Sequence, residues 1–209
     1  MFAHPGLPLR DSRAPAGRRA AMSSEGPLER ILAAARAATP RAAATRVVAL
    51  DGRSGAGKST LARALARELD APAVALEDLY GGWDGLEDGV SLLLDAVLRP
   101  LAAGRDAKVP RYDWHAAGWR EPSTLAPPAY LIVEGTGAGA RALAPYTSVL
   151  VWLELPTALR RARALARRDG ELYAPEWERW ALQEDVFFAR ERPRERADLV
   201  IDAEQLDAI

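Results

Sequence analysis

Apolar residues along this chain fall into two alternating patterns. Short unbroken runs, partly β-branched and bounded by polar or turn residues, occur at Val47 to Leu50, Ala73 to Leu76, Tyr130 to Val133, Val149 to Leu153 and Leu199 to Ile201. Runs of that length with apolar residues at every position predict strands buried on both faces of a parallel sheet. Between them apolar residues recur at helical spacing. Leu28, Ile31, Leu32 and Ala35 form one face of a helix over Pro27 to Ala38, started by Gly26-Pro27 and stopped by Thr39-Pro40. Leu61, Leu65 and Leu69 mark a second helix, and Leu93, Val97, Leu98 and Leu101 a third over Val90 to Ala103. Further helices are expected from Pro156 to about Arg168 and from Glu176 to Arg192. In the latter, Trp177, Trp180, Phe187 and Phe188 read as core. Strands alternating with helices predict an α/β domain with a parallel sheet. Right-handed crossovers then bring the loops at the carboxyl ends of the strands to one crevice.

Two stretches break the pattern. Residues 1–24 are rich in Pro, Ala, Gly, Ser and Arg without apolar periodicity, so a disordered extension is expected there, with a single domain over 25–209. Residues 108–121 are polar and aromatic and read as a small insertion. Composition narrows the function classes. In 209 residues a net charge of −1 gives no bulk case for binding a nucleic acid polymer or an anionic membrane. The absence of cysteine excludes disulfides and thiolate metal sites, and two histidines cannot hold zinc by themselves. No apolar run reaches the 18 or so residues of a membrane span. A cytoplasmic protein is expected, and a homo-oligomer is compatible with all of this.

The first strand leads into the most informative stretch, Asp51-Gly-Arg-Ser-Gly-Ala-Gly-Lys-Ser-Thr60. Gly52, Gly57, Lys58 and Ser59 fit G-x-x-x-x-G-K-[ST], between a strand and a helix as the mechanism requires. The glycines let successive N–H groups curl around an anion, and the following helix adds its N-terminal N–H groups and dipole. Gly52, Ser54, Gly55, Ala56, Gly57, Lys58, Ser59 and Thr60 are thus expected to wrap the phosphates of ATP. Lys58 would reach the β- and γ-phosphates and Ser59 would ligate Mg²⁺.

Other chemistry-bearing residues sit at neighbouring strand ends. Glu77 and Asp78 follow the second strand, where a carboxylate can take a proton from an attacking hydroxyl. Because successive residues of extended backbone point to opposite faces, only one of the two is expected to aim at the γ-phosphate. Glu134 ends the third strand, where it resembles the acidic residue that closes the metal-side strand in P-loop enzymes. Arg160, Arg161, Arg163, Arg167 and Arg168 share one half of a helical wheel, with Leu159, Ala162, Leu165 and Ala166 on the other. That predicts a lid around 157–175, with Arg163 and Arg167 meeting the transferring group and Arg168 the nucleotide. Tyr80, Arg111, Tyr112, Asp113 and His115, with Trp114 and Trp119 nearby, offer flat faces and hydrogen-bonding groups for an acceptor.

Gly-Arg-Ser-Gly-Ala-Gly-Lys-Ser-Thr, Glu-Asp-Leu-Tyr, Tyr-Asp-Trp, Val-Glu-Gly and Arg-Arg-Asp, in this order, resemble the uridine kinase branch of P-loop kinases, a group that includes phosphoribulokinase and pantothenate kinase. The resemblance covers about residues 46–202. It implies a three-layer α/β/α P-loop fold with a five-stranded parallel sheet in order 2-3-1-4-5. It also implies ATP- and Mg²⁺-dependent phosphorylation of a hydroxyl on a small molecule such as a nucleoside. The family's Asp-x-Phe-Tyr base motif falls on Glu77, a departure that leaves Asp78 in competition. Its substrate-contacting pair falls on Tyr112 and Asp113, and its lid arginines on Arg163, Arg167 and Arg168. The Glu-Arg-Gly-Arg that often follows the lid is replaced here by Asp169-Gly170-Glu171, which argues against uridine itself. Two alternatives share the same loop. One is a nucleoside monophosphate kinase, such as one for (d)CMP, in which Arg111 or Arg120 would meet the acceptor's phosphate. The other is an ATP-binding regulatory protein without an acceptor site.

Overall fold

The computed structural model describes residues 25–167 and 170–206. The N-terminal extension expected over 1–24, together with Arg168 and Asp169, lies outside the described residues. The five apolar runs become β1 (Arg46–Asp51), β2 (Ala73–Ala75), β5 (Tyr130–Glu134), β6 (Thr147–Glu154) and β7 (Leu199–Asp202), all parallel in one sheet. The order is β2-β5-β1-β6-β7. Counting sheet strands alone, this is the 2-3-1-4-5 order that the resemblance implies.

Alternate strand residues fill two cores, as period-2 geometry demands. Val48, Leu50, Ile132, Val149, Val151 and Leu153 face one layer, formed by α1 (Pro27–Ala37) and α2 (Lys58–Leu69). Ile31 and Leu65, both wholly buried, anchor those two helices to the sheet. Val47, Ala49, Leu131, Val133, Leu150 and Trp152 face the other layer. There a long helical stretch runs as α3 (Leu86–Leu92), a π-helical segment (Leu93–Leu98) and α4 (Arg99–Ala102). It buries Leu93, Val97, Leu98 and Leu101.

Residues 108–121 do more than insert. They belong to β3 (Ala107–Asp113) and β4 (Gly118–Leu125), a separate antiparallel pair. The helix of the supposed lid is α5 (Thr157–Leu165), followed by α6 (Gly170–Tyr173) and a 3₁₀ turn, Ala174–Glu176. Then come α7 (Trp177–Glu191) and α8 (Pro193–Arg196). Among the described residues no helix is long and apolar enough to cross a membrane.

The register fixes the site. Leu50 and Ala75 both align with Glu134, so β1, β2 and β5 end level with one another. Their loops open on the same side, into a cavity of about 930 Å³.

Candidate active site

The phosphate loop is shaped by close contacts. Gly55, at φ +81°, lies so near α5 that a Cβ there would meet the Arg160 carbonyl oxygen at 2.2 Å. Only glycine lets the loop pass beneath that helix. Gly57 caps α2 from the left-handed region, at φ 95°. The N–H groups of Gly55, Gly57, Lys58 and Ser59 have no protein acceptor among the described residues, and these residues line the cavity. Gly52 and Ala56 act differently from expectation. The Gly52 N–H donates to Asp51 Oδ1 at 2.7 Å and the Ala56 N–H to the Arg53 carbonyl at 3.1 Å. Both amides are spent on holding the loop, so neither is left for a phosphate. Lys58 Nζ, largely buried, donates to the Gly52 and Arg53 carbonyls at 2.6 and 3.0 Å.

Asp51 was not among the expected site residues. It is wholly buried and accepts N–H groups from Gly52, Gly137 (3.1 Å) and Gly139 (2.8 Å). It thereby ties the start of the phosphate loop to the loop after β5. Burial pushes its pKa up to about 6, against the pull of those amides and of Lys58. In the unfolded chain the carboxyl ionises near 3.8. The folded protein therefore holds this proton more tightly. Its stabilising contribution is complete below pH 4 and is lost as pH rises through 6, a span worth roughly 3 kcal/mol. Melting temperatures of the wild type and Asp51→Asn from pH 4 to 7 should show the wild type losing this increment and the variant not. A difference between the two proteins that stays constant with pH would refute the assignment.

Glu134, at the end of β5, is buried, and it lines the cavity together with Lys58 and Ser59. Burial raises its pKa, while Lys58, Ser59 and Arg167 act in the opposite direction. No group of three or more metal-ligating side chains occurs among the described residues. Ser59 and Glu134 nevertheless supply two hard oxygens next to the phosphate loop. That fits Mg²⁺, which takes one or two protein oxygens and completes its shell with water and phosphate.

Glu77 and Asp78 do not end a strand. β2 stops at Ala75, and Leu76–Asp78 form one 3₁₀ turn. Successive residues there are about a third of a turn apart instead of opposite, so both carboxylates line the cavity, contrary to the alternation argument. Their neighbours differ. Glu77 pairs with Arg167 at 3.2 Å and acts electrostatically on Glu134. Asp78 lies 3.6 Å from Arg111 on the hairpin. Burial raises the Asp78 pKa most, with Arg111 opposing.

The hairpin hangs over this turn, with Trp114 Nε1 donating to the Glu77 carbonyl at 3.0 Å. Asp113 organises the hairpin's own bend. It accepts the N–H groups of His115 and Ala116 at 2.9 and 3.1 Å, and Arg120 Nε at 2.9 Å. The Arg120 hydrogen bond is the main reason its pKa falls to about 2. Tyr112 packs edge-on against Trp114 and Trp119, and Arg111, Tyr112 and His115 line the cavity. Tyr80 departs from expectation. It is buried, and its hydroxyl donates to the Thr136 carbonyl at 2.7 Å, so it can offer an acceptor only the face or edge of its ring. That ring lies 4.9 Å from Trp180. Trp177 and Trp180 are core residues as read, but Trp180 also forms cavity wall.

Helix α5 is turned the opposite way to its apolar pattern. Leu159 is 43% exposed, whereas Arg160 and Ala164 are buried. Arg160 is a clamp and cannot serve in a lid: its guanidinium donates to the carbonyls of Leu155 and Ser54 and to the Thr157 hydroxyl. Arg163 and Arg167 line the cavity. Glu184 was likewise missed, although it sits on the Trp177–Trp180–Phe187–Phe188 stripe, where an acid is out of pattern. It is 1% exposed and accepts the Ser54 N–H at 2.7 Å.

Solved structures share this fold. A possible uridine kinase from Bacillus stearothermophilus superposes with a TM-score of 0.58 at 21% identity, over 76% of this chain and 89% of that one. A protein provisionally named a fructose transport system kinase, from a Silicibacter species, gives 0.51 at 23%, over 83% and 96%. The protein YGR205w gives 0.50 at 11%, over 77% and 87%. No family model matches the chain, and no curated protein matches it. The likeness is one of fold: three layers around a five-stranded parallel sheet.

Proposed function

We propose that this protein transfers the γ-phosphoryl group of ATP to a hydroxyl of a small molecule, a nucleoside or related metabolite. The observation that carries the reading is the juxtaposition, around one cavity, of a phosphate end and an acceptor end. The former holds Lys58, Ser59 and Glu134; the latter is the aromatic hairpin. The Glu77–Asp78 turn lies between them.

The open loop amides and Lys58 hold the β- and γ-phosphates, with Lys58 exchanging its loop carbonyls for phosphate oxygens. Mg²⁺, held by Ser59 with Glu134, would neutralise phosphate charge. Glu77 belongs electrostatically to this end, through Glu134 and Arg167. It therefore takes the role of base, while Asp78, with Arg111, orients the acceptor. The acceptor oxygen attacks the γ-phosphorus as its proton passes to Glu77. The bond from γ-phosphorus to the β–γ bridging oxygen breaks, leaving ADP and a phosphate monoester. Arg163 and Arg167 meet the charge spread over the transferring group. Arg111 and Arg120 are each already opposite a carboxylate, Asp78 and Asp113. That favours an uncharged acceptor over a nucleoside monophosphate.

A screen of nucleosides, nucleotides and vitamin precursors for ATP-dependent phosphorylation tests the reading. Turnover of none of them, by protein that binds ATP, would favour the regulatory alternative. Arg163→Ala and Arg167→Ala should lower kcat by about 10-fold or more while changing the ATP Kd less, because charge on the transferring group develops in the transition state. Unchanged kcat in both variants would remove these arginines from the transferring group.

A further inference from the structure

Of the buried charged side chains, Asp51, Arg160 and Glu184 have no part in the mechanism above, and Glu184 alone among these three bonds to an aromatic side chain of the cavity wall. Burying a carboxylate is costly unless it is fully hydrogen-bonded, and its partners are unusual in where they come from. A single oxygen, Oε1, accepts three donors: the Ser54 N–H at 2.7 Å, the Thr136 hydroxyl at 3.0 Å and Trp180 Nε1 at 3.2 Å. The first belongs to the phosphate loop, the second to the loop after β5 and the third to the wall of the acceptor cavity. The other oxygen faces the Arg53 guanidinium at 3.7 Å. Thr136 extends the connection, because its carbonyl accepts the Tyr80 hydroxyl. Two aromatic walls of the cavity, Trp180 and Tyr80, are thus tied to the oxygen that holds Ser54. The next peptide is gripped as well, since the Ser54 carbonyl accepts Arg160 Nη1 at 3.2 Å.

We propose that Glu184 is a positioning residue that relays occupancy of the phosphate loop to the wall of the acceptor cavity. The inference rests on the kinase reading. Phosphates drawing on the neighbouring amides pull on the Ser54 peptide. Any change in its hydrogen bond to Oε1 alters what that oxygen offers Trp180 and Thr136. Nucleotide binding thereby seats the aromatic wall, and by linkage a seated acceptor tightens nucleotide binding in return.

The test needs no acceptor. Indole N–H signals of the full chain, labelled with ¹⁵N-tryptophan, are followed while Mg·ADP is added, with the Trp180 signal identified by its loss in Trp180→Phe. The wild-type Trp180 signal should move on saturation. In Glu184→Leu it should stay still, with the ADP Kd raised less than about 10-fold. Glu184→Gln keeps an acceptor oxygen but not the charge that strengthens its hydrogen bonds. It should show at most half the wild-type shift, and this arm holds even if the leucine variant does not fold. A wild-type Trp180 signal that ignores bound ADP overturns the relay alone, as does a full shift in either variant. Failure of the wild type to bind ADP at all overturns the kinase reading and the relay with it.

Discussion

Lys58→Ala is expected to lower kcat by on the order of 10³-fold or more, with the fold retained. Its ammonium is the fixed cation among the open amides of Gly55, Gly57, Lys58 and Ser59. Charges of this kind, preorganised where phosphoryl charge develops, commonly contribute about 10²–10⁵ in rate. The side chain carries little of the core, since its two hydrogen bonds run to carbonyls of its own loop. Its removal has one further effect: Lys58 is among the groups holding down the Asp51 pKa, so the pH at which that carboxyl ionises should rise in the variant. Circular dichroism with a melting curve establishes folding, and ATP consumption measures turnover. A folded variant with unchanged kcat would remove the phosphate-loop assignment.

Glu77→Gln should lower kcat by about 10²–10⁴ while leaving ATP affinity nearly intact, as expected for loss of a general base. Asp78→Asn should instead raise the KM for the acceptor, because its partner Arg111 belongs to the hairpin and not to the phosphate end. Both substitutions keep shape and remove charge, so the contrast reports role rather than packing. If Asp78→Asn shows the large kcat loss and Glu77→Gln does not, the roles reverse.

The sheet was legible because strands buried on both faces leave an unambiguous mark, and Val47–Leu50 and Tyr130–Val133 extend only by a residue or so at each end. The phosphate loop was legible because few backbones need three glycines before a lysine. The hairpin was missed because β4 is mostly exposed, with its polar residues in pairs and not in alternation, so the pattern that would reveal a half-buried strand is weak. Helix α5 was misjudged for a different reason. A wheel ranks side chains by hydropathy, but the Ser54 and Leu155 carbonyls needed a donor, and Arg160 was the residue that could reach them. Glu77 and Asp78 were misplaced by one short element. Once β2 stops at Ala75, period-2 reasoning no longer applies. Glu184 and Asp51 left only faint marks, an acid on an apolar stripe and an acid ending a buried strand.

The hairpin meets the turn that carries the proposed base through two contacts of different kinds. Trp114 holds a backbone carbonyl, that of Glu77, and Arg111 faces the Asp78 side chain. The first depends on an indole at one position and not on the identity of the acid beneath it. The two strands pair only with each other and contribute nothing to the main sheet. Under the proposed function, substitutions along residues 108–124 should therefore change the acceptor KM more than the ATP Kd, with the hairpin acting as an exchangeable reader beside a constant phosphate end.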